Sequence, residues 1–383
     1  MPTPVHGVSA PVRKILLSIN VRWWNAEAAY ALNLARGLRD EGCEVWLMVN
    51  LDSPVHRKAE KYNIPVITDI QLDAVSPFSH FLNLRKLLQL IDRLGIQVIN
   101  SFKSNGSFLF SLARYFRPGL LYIKTRGEAR PPHRNVMNRM LYGAGACDGL
   151  IAVGSPVEGW LSDLGLKNQQ MAVIHYGDSP VTQRSEVVRR EVRRELDIDD
   201  GATVLTLLGR TQRVKGHRLL LEAMTCLKDE GCYLLLLVKD LEEFPEELRF
   251  IEDFIMENNL GRHVLILGFQ NDLGRVLSMT DLGVIPSLDS EVNCRVAVEF
   301  FSLGVPVLAF PTGTLPDLIR HRGNGYMTRK KDSAELIQGV QWLASEKGRL
   351  TQLGLEAQKQ YDSLYTIEKM TRDTLAFYDH CRS

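Results

Sequence analysis

No apolar run in this 383-residue chain approaches the roughly 20 residues that a membrane-spanning helix needs. The opening stretch, MPTPVHGVSAPVRKI, lacks the apolar core of a secretory leader, so none is expected. Cysteine is sparse: the six residues at 43, 147, 226, 232, 294 and 381 form no CxxC pair and have no histidine spacing beside them. That excludes a disulfide scaffold and a zinc site, and it fits reduced thiols in a cytoplasmic protein. Charge of one sign is also missing overall, since 46 basic residues nearly balance 45 acidic ones. No short-period repeat occurs, and Gly143-Ala-Gly145 is too brief for a dinucleotide fingerprint.

What is present is alternation. Short apolar runs at Lys14–Ile19, Glu44–Val49, 97–100, 120–124, 149–153 and 171–175 predict strands. Amphipathic stretches such as Ala26–Asp40 and 81–94 lie between them. After the charged segment 180–200 the pattern restarts, with strands expected at 203–208, 233–238, Val264–Leu267, Leu282–Ile285 and 305–310 and helices between. The tail from Ser333 reads as helical. Such βα alternation predicts an α/β chain of parallel sheets with helices on both faces. The length favours two domains, expected at 1–185 and 200–364, with a last helix near 365–383 packing back on the first.

The balance of charge hides an asymmetry. Residues 1–180 hold 20 basic against 14 acidic side chains, and between 101 and 139 eight basic residues face Glu128 alone. A solvated face explains such a run; so does a surface for an anionic partner or for lipid headgroups.

The chemistry concentrates in the second half. Strand 203–208 runs into Gly209-Arg210-Thr211-Gln212-Arg213-Val214-Lys215-Gly216, which puts Arg210 and Lys215 in a strand-to-helix loop. Two cations there suit a diphosphate, each offering about 4 kcal/mol of gross attraction at 4 Å and an effective dielectric near 20. Downstream, Glu291 and Glu299 flank a polar turn that leads into an apolar helix ending at Gly304. A helix start offers free N–H groups to a phosphate, and carboxylates nearby can bind sugar hydroxyls.

GRTQRVKG, the Gly268-Phe269 turn, Asp281 followed by Pro286-Ser287, the acids at 291 and 299, GVPV at 304–307 and GTLPDLI at 313–319 occur in that order. Together they resemble the donor half of a retaining GT-B glycosyltransferase of family 4 (glycosyl transferases group 1), and Val173–Asp178 resembles the short strand and turn ahead of that family's linker. The resemblance implies two Rossmann-like doubly wound domains facing a central cleft. It implies transfer of a sugar from a nucleotide diphosphate sugar to a saccharide or lipid-linked acceptor, in cell-envelope polysaccharide or lipopolysaccharide synthesis. By position, Arg210 and Lys215, next to Gly209, would hold the diphosphate, Glu291 the donor sugar and Glu299 the ribose. Backbone N–H groups of Asn293, Cys294 and Arg295 would meet the sugar and distal phosphate, with Phe269 and Gln270 at the base. Neither a protein nucleophile, a metal nor another cofactor would be required.

The first half departs from that pattern. Where the family often has Gly-Gly, this chain has Trp23-Trp24-Asn25, whose indoles would stack on sugars or pack internally. Where many relatives carry a histidine, Arg126 stands, with Arg130, His133, Arg134 and Arg139 beyond it. Arginine is no base at neutral pH but binds phosphate or carboxylate. Trp24, Asn25, Arg126 and Arg130 are therefore the acceptor-side candidates, with peripheral contact at an anionic inner membrane face as an added expectation and no nucleic acid. A non-catalytic nucleotide-sugar-binding protein and a GT-B nucleotide-sugar epimerase are the alternatives.

Overall fold

A computed structural model of the chain describes residues 13–73, 76–166, 170–181, 185–238, 243–268, 270, 272–289, 291–346 and 348–382. Its elements begin with β1 (Lys14–Ile19), α1 (Ala26–Asp40), β2 (Glu44–Val49), α2 (Pro54–Lys61), β3 (Val66–Ile67), α3 (Pro77–Leu94) and β4 (Val98–Ser101). They continue with α4 (Ser107–Phe116), β5 (Leu121–Arg126), α5 (Val136–Tyr142), β6 (Gly149–Ala152), α6 (Ser155–Ser162), β7 (Gln170–Val173) and α7 (Glu186–Glu195). Next come β8 (Thr203–Gly209), α8 (His217–Leu227), β9 (Cys232–Val238), α9 (Pro245–Glu257), β10 (Val264–Leu267), α10 (Leu273–Leu277) and β11 (Leu282–Ile285). The last are α11 (Arg295–Ser302), β12 (Val307–Ala309), α12 (Leu315–Leu318), β13 (Gly325–Met327), α13 (Ser333–Ala344), α14 (Arg349–Leu364) and α15 (Ile367–His380).

The chain divides into two units. The first runs to Val153 and takes in Val157–Ile174 and the residues from Met370 onward; the second holds Gly154–Pro156 and His175–Lys369. Each is built on one parallel sheet, in the order β3-β2-β1-β4-β5-β6-β7 and β10-β9-β8-β11-β12-β13 respectively. Both orders reverse direction once, between β1 and β4 in the first sheet and between β8 and β11 in the second. At such a switch point the loops leaving adjacent strands part to opposite faces and open a crevice at their carboxyl ends.

Local chemistry sets the elements that reach those crevices. In the first unit Asn25 caps α1, its Oδ1 accepting from the Ala28 N–H at 2.9 Å, and the buried stripe Ala28, Ala31, Leu34, Ala35 and Leu38 seats the helix on β1 and β2. The final turns of α15 close this unit's core, where Tyr378 receives a hydrogen bond from Asn100 at 2.8 Å and Phe377 lies against Gly149.

In the second unit the charged segment after residue 180 does not form a break throughout, because Glu186–Glu195 is a helix anchored inward. Arg193, only 1% exposed, donates to Asp281 at 2.6 Å, and Arg189 pairs with the same carboxylate at 2.7 Å. Asp281 Oδ2 also accepts from the Val204 N–H at 2.9 Å, tying the entry of β11 to β8. Asp281 is thus structural, and the chain enters the second unit at His175, ahead of the charged segment.

Candidate functional site

The crevice loops of the second sheet bring the two ends of the sequence motif together. Lys215, at the end of the short turn after β8, forms an ion pair with Glu291 Oε1, and Ser287 Oγ donates to that same oxygen at 2.7 Å. Residues from the loops after β8 and β11 therefore meet at the switch point. Both charged groups are mostly buried, the Lys215 side chain 23% and the Glu291 side chain 12% exposed, which strengthens their mutual attraction.

Two glycines make this geometry possible. Gly216 has φ of +78°, and a Cβ there would stand 2.0 Å from the Pro286 carbonyl oxygen. Gly313, at φ +58°, would place a Cβ 1.7 Å from the Glu291 carbonyl oxygen. Both contacts are backbone to backbone, so no larger residue fits without moving the loop that carries Glu291. Side chains complete the clamp. Thr312 Oγ1 donates to the Ser287 carbonyl and Thr314 Oγ1 to the Val292 carbonyl, each at 2.6 Å, while the Thr314 N–H donates to the Glu291 carbonyl at 2.7 Å.

Arg210 lies on the same loop as Lys215 but faces Glu243, at 3.4 Å, with its side chain one-third exposed. Arg210 and Lys215 thus each have their own carboxylate. Gly209 ends β8. Gln270 folds onto its own turn, its Nε2 donating to the Gly268 carbonyl at 3.1 Å. Phe269 lies outside the described residues.

At the start of α11, Cys294 adopts a left-handed backbone at φ 45°, uncommon for a residue with a Cβ. Its thiol is buried, pushed up by that burial, and 3.0 Å from Thr314 Oγ1, so it stays protonated and holds the loop rather than attacking anything. Asn293 is buried beside it, with Oδ1 lacking any hydrogen-bond partner. Arg295 reaches one turn along α11 to Glu299 Oε1, at 2.9 Å from Nε and 2.8 Å from Nη2. Burial pushes the Glu299 carboxyl up, and Arg295 pulls it back. Sequence reasoning did not foresee this pairing, although an i, i+4 Arg–Glu spacing was its visible signal. Asp178 joins the group 3.8 Å from Arg295 and accepts from the Tyr176 hydroxyl.

His217 opens α8 directly after Gly216 and is wholly buried, not a surface residue. Neither ring nitrogen has a hydrogen-bond partner, and burial pushes the imidazole down to about 4. It is a neutral ring beneath the loop that carries Lys215.

In the first unit the acceptor-side candidates separate into different roles. Asn25 is the α1 cap described above. Trp24 is half-buried with Lys58 Nζ 4.6 Å from its ring centre, whereas Trp23 is 64% exposed. Arg130 is exposed, but Arg126 is buried and engaged: its Nη1 lies 2.6 Å from the Tyr142 hydroxyl and 2.8 Å from Glu128, and its Nη2 donates to the Arg130 carbonyl at 2.6 Å. An arginine so occupied is not a free hook for an anion. Glu128 stands out in the sequence only as the lone acid of a basic run, and its further partners Lys103 and Glu27 carry no sequence signal because the three follow different strands.

The family described as glycosyl transferases group 1 matches residues 188–360, and glycosyltransferase family 4 matches residues 28–177. The chain belongs to the group 1 glycosyltransferases, of the GT-B type. It is 27% identical over 158 residues to an N-acetyl-alpha-D-glucosaminyl L-malate synthase of Bacillus anthracis, covering 41% of this chain and 40% of that protein. The chain spans about half the length of the curated relatives it matches, between 40% and 55% for the first three. In structure it is similar to a glycosyltransferase from Rickettsia africae ESF-5, with a TM-score of 0.87 at 16% identity over 98% of this chain and 100% of that one. It is likewise similar to Anabaena Alr3699/HepE in complex with UDP, with a TM-score of 0.82 at 18% identity over 96% of this chain and 100% of that one.

Proposed function

We propose that the chain transfers a sugar from a nucleotide diphosphate sugar to a saccharide or lipid-linked acceptor, with retention of anomeric configuration and without a metal ion. The observation that carries this reading is the Lys215–Glu291–Ser287 contact at the switch point of the second sheet. A cation and a carboxylate held in one contact suit a ligand that presents both negative charge and hydroxyls. On binding, Lys215 turns to the diphosphate and Glu291 accepts from sugar hydroxyls, with Arg210 adding a second cation from the same loop. Negative charge grows on the departing diphosphate, and cations already in place stabilise it without reorganisation. That phosphate takes the acceptor proton, so no side chain has to act as nucleophile. Glu299, fixed by Arg295, binds the ribose, and the N–H groups of Asn293, Cys294 and Arg295 face the distal phosphate. The UDP complex of the structural neighbour supports a uridine donor as the first to try.

The setting we propose is cell-envelope polysaccharide or lipopolysaccharide synthesis at the inner face of the membrane. What supports it is the surface of the first unit. Phe78 and Phe81 on α3, and Val136, Met137 and Met140 on α5, are each more than 60% exposed, and Arg139 lies among the last three. Apolar side chains interleaved with cations suit an anionic lipid interface.

A thermal-shift panel of UDP-, GDP- and ADP-sugars tests the reading. One donor should raise the melting point in proportion to its binding, and the same donor should be consumed when an acceptor is added. A chain that binds none of them contradicts the proposal.

A further inference from the structure

The ion pair at the start of α11 is built unevenly. Glu299 is buried, with 7% of its side chain exposed, while Arg295, four residues earlier on the same helix face, keeps 37% of its side chain open. The guanidinium addresses one carboxylate oxygen only. Nε donates to Glu299 Oε1 at 2.9 Å, and Nη2 stands 2.8 Å from that same oxygen. Among the described residues Glu299 Oε2 accepts from no donor, and Arg295 Nη1 donates to no acceptor. Each of these two atoms keeps contact with solvent. Asp178 Oδ2, 3.8 Å from Arg295 Nε, is taken by the Tyr176 hydroxyl.

Charge balance accounts for half of this arrangement. A buried carboxylate needs a cation nearby, and Arg295 opposes the upward push that burial gives Glu299. The unused edge is left unexplained. A guanidinium that served only as counter-charge would cover both oxygens, in the parallel two-bond geometry that arginine favours with carboxylates. Here one acceptor and one donor stay unbonded on a single interlocked pair, at the end of α11 that opens on the crevice of the second sheet.

We propose that Arg295 is a specificity-determining residue that reads the donor ribose jointly with Glu299: Glu299 Oε2 accepts from one ribose hydroxyl, and Arg295 Nη1 donates to the oxygen of the neighbouring one. The proposal rests on the glycosyl-transfer reading above, which gives Glu299 the ribose, and adds a second reader with its own signature. A carboxylate only accepts, so alone it serves the protons of a diol and leaves its oxygens unserved; a guanidinium only donates. Held side by side they match a vicinal diol. A nucleotide lacking either hydroxyl strands one charged group that has given up its water, which is where discrimination against a missing hydroxyl arises. The chain therefore selects ribonucleotide donors at both positions of the sugar.

The test is titration calorimetry on the full chain with UDP, 2′-deoxy-UDP and 3′-deoxy-UDP, and with the matching guanosine and adenosine sets. The wild type should bind the ribonucleotide about tenfold or more tighter than either deoxy form. Arg295→Met should lose that preference at one hydroxyl and keep it at the other. The variant is measured at pH 9, because without Arg295 the groups left facing Glu299 are Asp178 and Tyr176, and neither favours its charge. That pH is far above the ordinary carboxyl range near about 4, so Glu299 is charged without its cation, and burial keeps the Tyr176 proton on. Any other pattern in the variant overturns the proposal. Preference kept at both hydroxyls means that Arg295 only keeps Glu299 charged; preference lost at both means that it only holds Glu299 in place. Indifference of the wild type to either hydroxyl overturns it too, and needs no variant to fold. Failure of the glycosyl-transfer reading is seen separately, as a chain that no nucleotide or nucleotide sugar binds.

Discussion

At the scale of single residues, the ion pair between Lys215 and Glu291 separates function from stability. Both side chains sit on loops at the carboxyl end of the sheet and neither belongs to its apolar core, so replacing either leaves that core in place. Lys215→Ala and Glu291→Ala should each lower transfer by about two orders of magnitude or more, the scale of removing one preorganised charge from a reaction centre. Turnover near the wild-type rate in both variants, measured with labelled donor, contradicts the assignment. His217 offers a different measurement. Its ring is proton-free in the folded chain down to about 4, against 6.5 when unfolded. Between those values the unfolded chain binds the extra proton, so this contribution is complete above pH 6.5 and is lost as pH falls toward 4. The span corresponds to an order of 3 kcal/mol. Urea unfolding of wild type and His217→Gln at pH 7 and pH 4.5 should therefore show the wild type losing more stability on acidification. Parallel losses would mean that the histidine is not held neutral.

Glu291, on the loop before α11, and Glu299, inside that helix, each meet a different cation, whereas Arg210 and Lys215 were legible as a pair because they share one loop. The Glu27–Lys103–Glu128–Arg126 assembly was not, since its members are joined only by the order of three parallel strands. Glu128 stood out in the sequence merely as the lone acid among cations. The pairing of Arg295 with Glu299 has only an i, i+4 spacing to mark it, a signal shared by any exposed helical pair.

At the scale of elements, long amphipathic stretches were legible and short pieces were not. Ala26–Asp40 carries a full helical stripe and its capping asparagine in the sequence, Leu282–Ile285 is an apolar run buried on both faces, and Val264–Leu267 is an apolar run at the sheet edge, half-buried after Val264. The two-residue β3, the three-residue β13 and the seven-residue α5 are too short for a period to register. The loop carrying Glu291 depends on Gly313, where a methyl group would meet a carbonyl oxygen at 1.7 Å in a backbone region that L side chains avoid. Gly313→Ala should cost about 2 kcal/mol or more and displace Glu291 with it. A lowered melting point together with lost donor binding is the expected result; an unchanged melting point shows that the loop relaxes freely. For α5, Met137 and Met140 are exposed on a helix with Arg139 between them. Replacing both methionines by serine should weaken flotation with anionic vesicles, and in the wild type that binding should fall as salt rises. Salt-insensitive binding, or none, removes the membrane surface from the reading.

At the scale of the whole molecule, the same device appears twice: a parallel sheet whose order reverses once, with charged side chains gathered at the reversal. In the second sheet those charges include two cations, Arg210 and Lys215, on one loop. Their Coulomb attraction for a diphosphate is about 4 kcal/mol each before screening, comparable to what charge stabilisation supplies in other phosphate chemistry. Their present partners, Glu243 and Glu291, lie on separate loops and need only release one contact each for the cations to turn. A chain working this way does not need a divalent ion to neutralise the leaving group. Turnover should accordingly survive EDTA with less than about a twofold change, whereas Lys215→Ala in the same assay should lose nearly all activity. Complete loss in EDTA, restored by magnesium, would show that a metal carries the charge and that the two cations serve only to hold the donor in place.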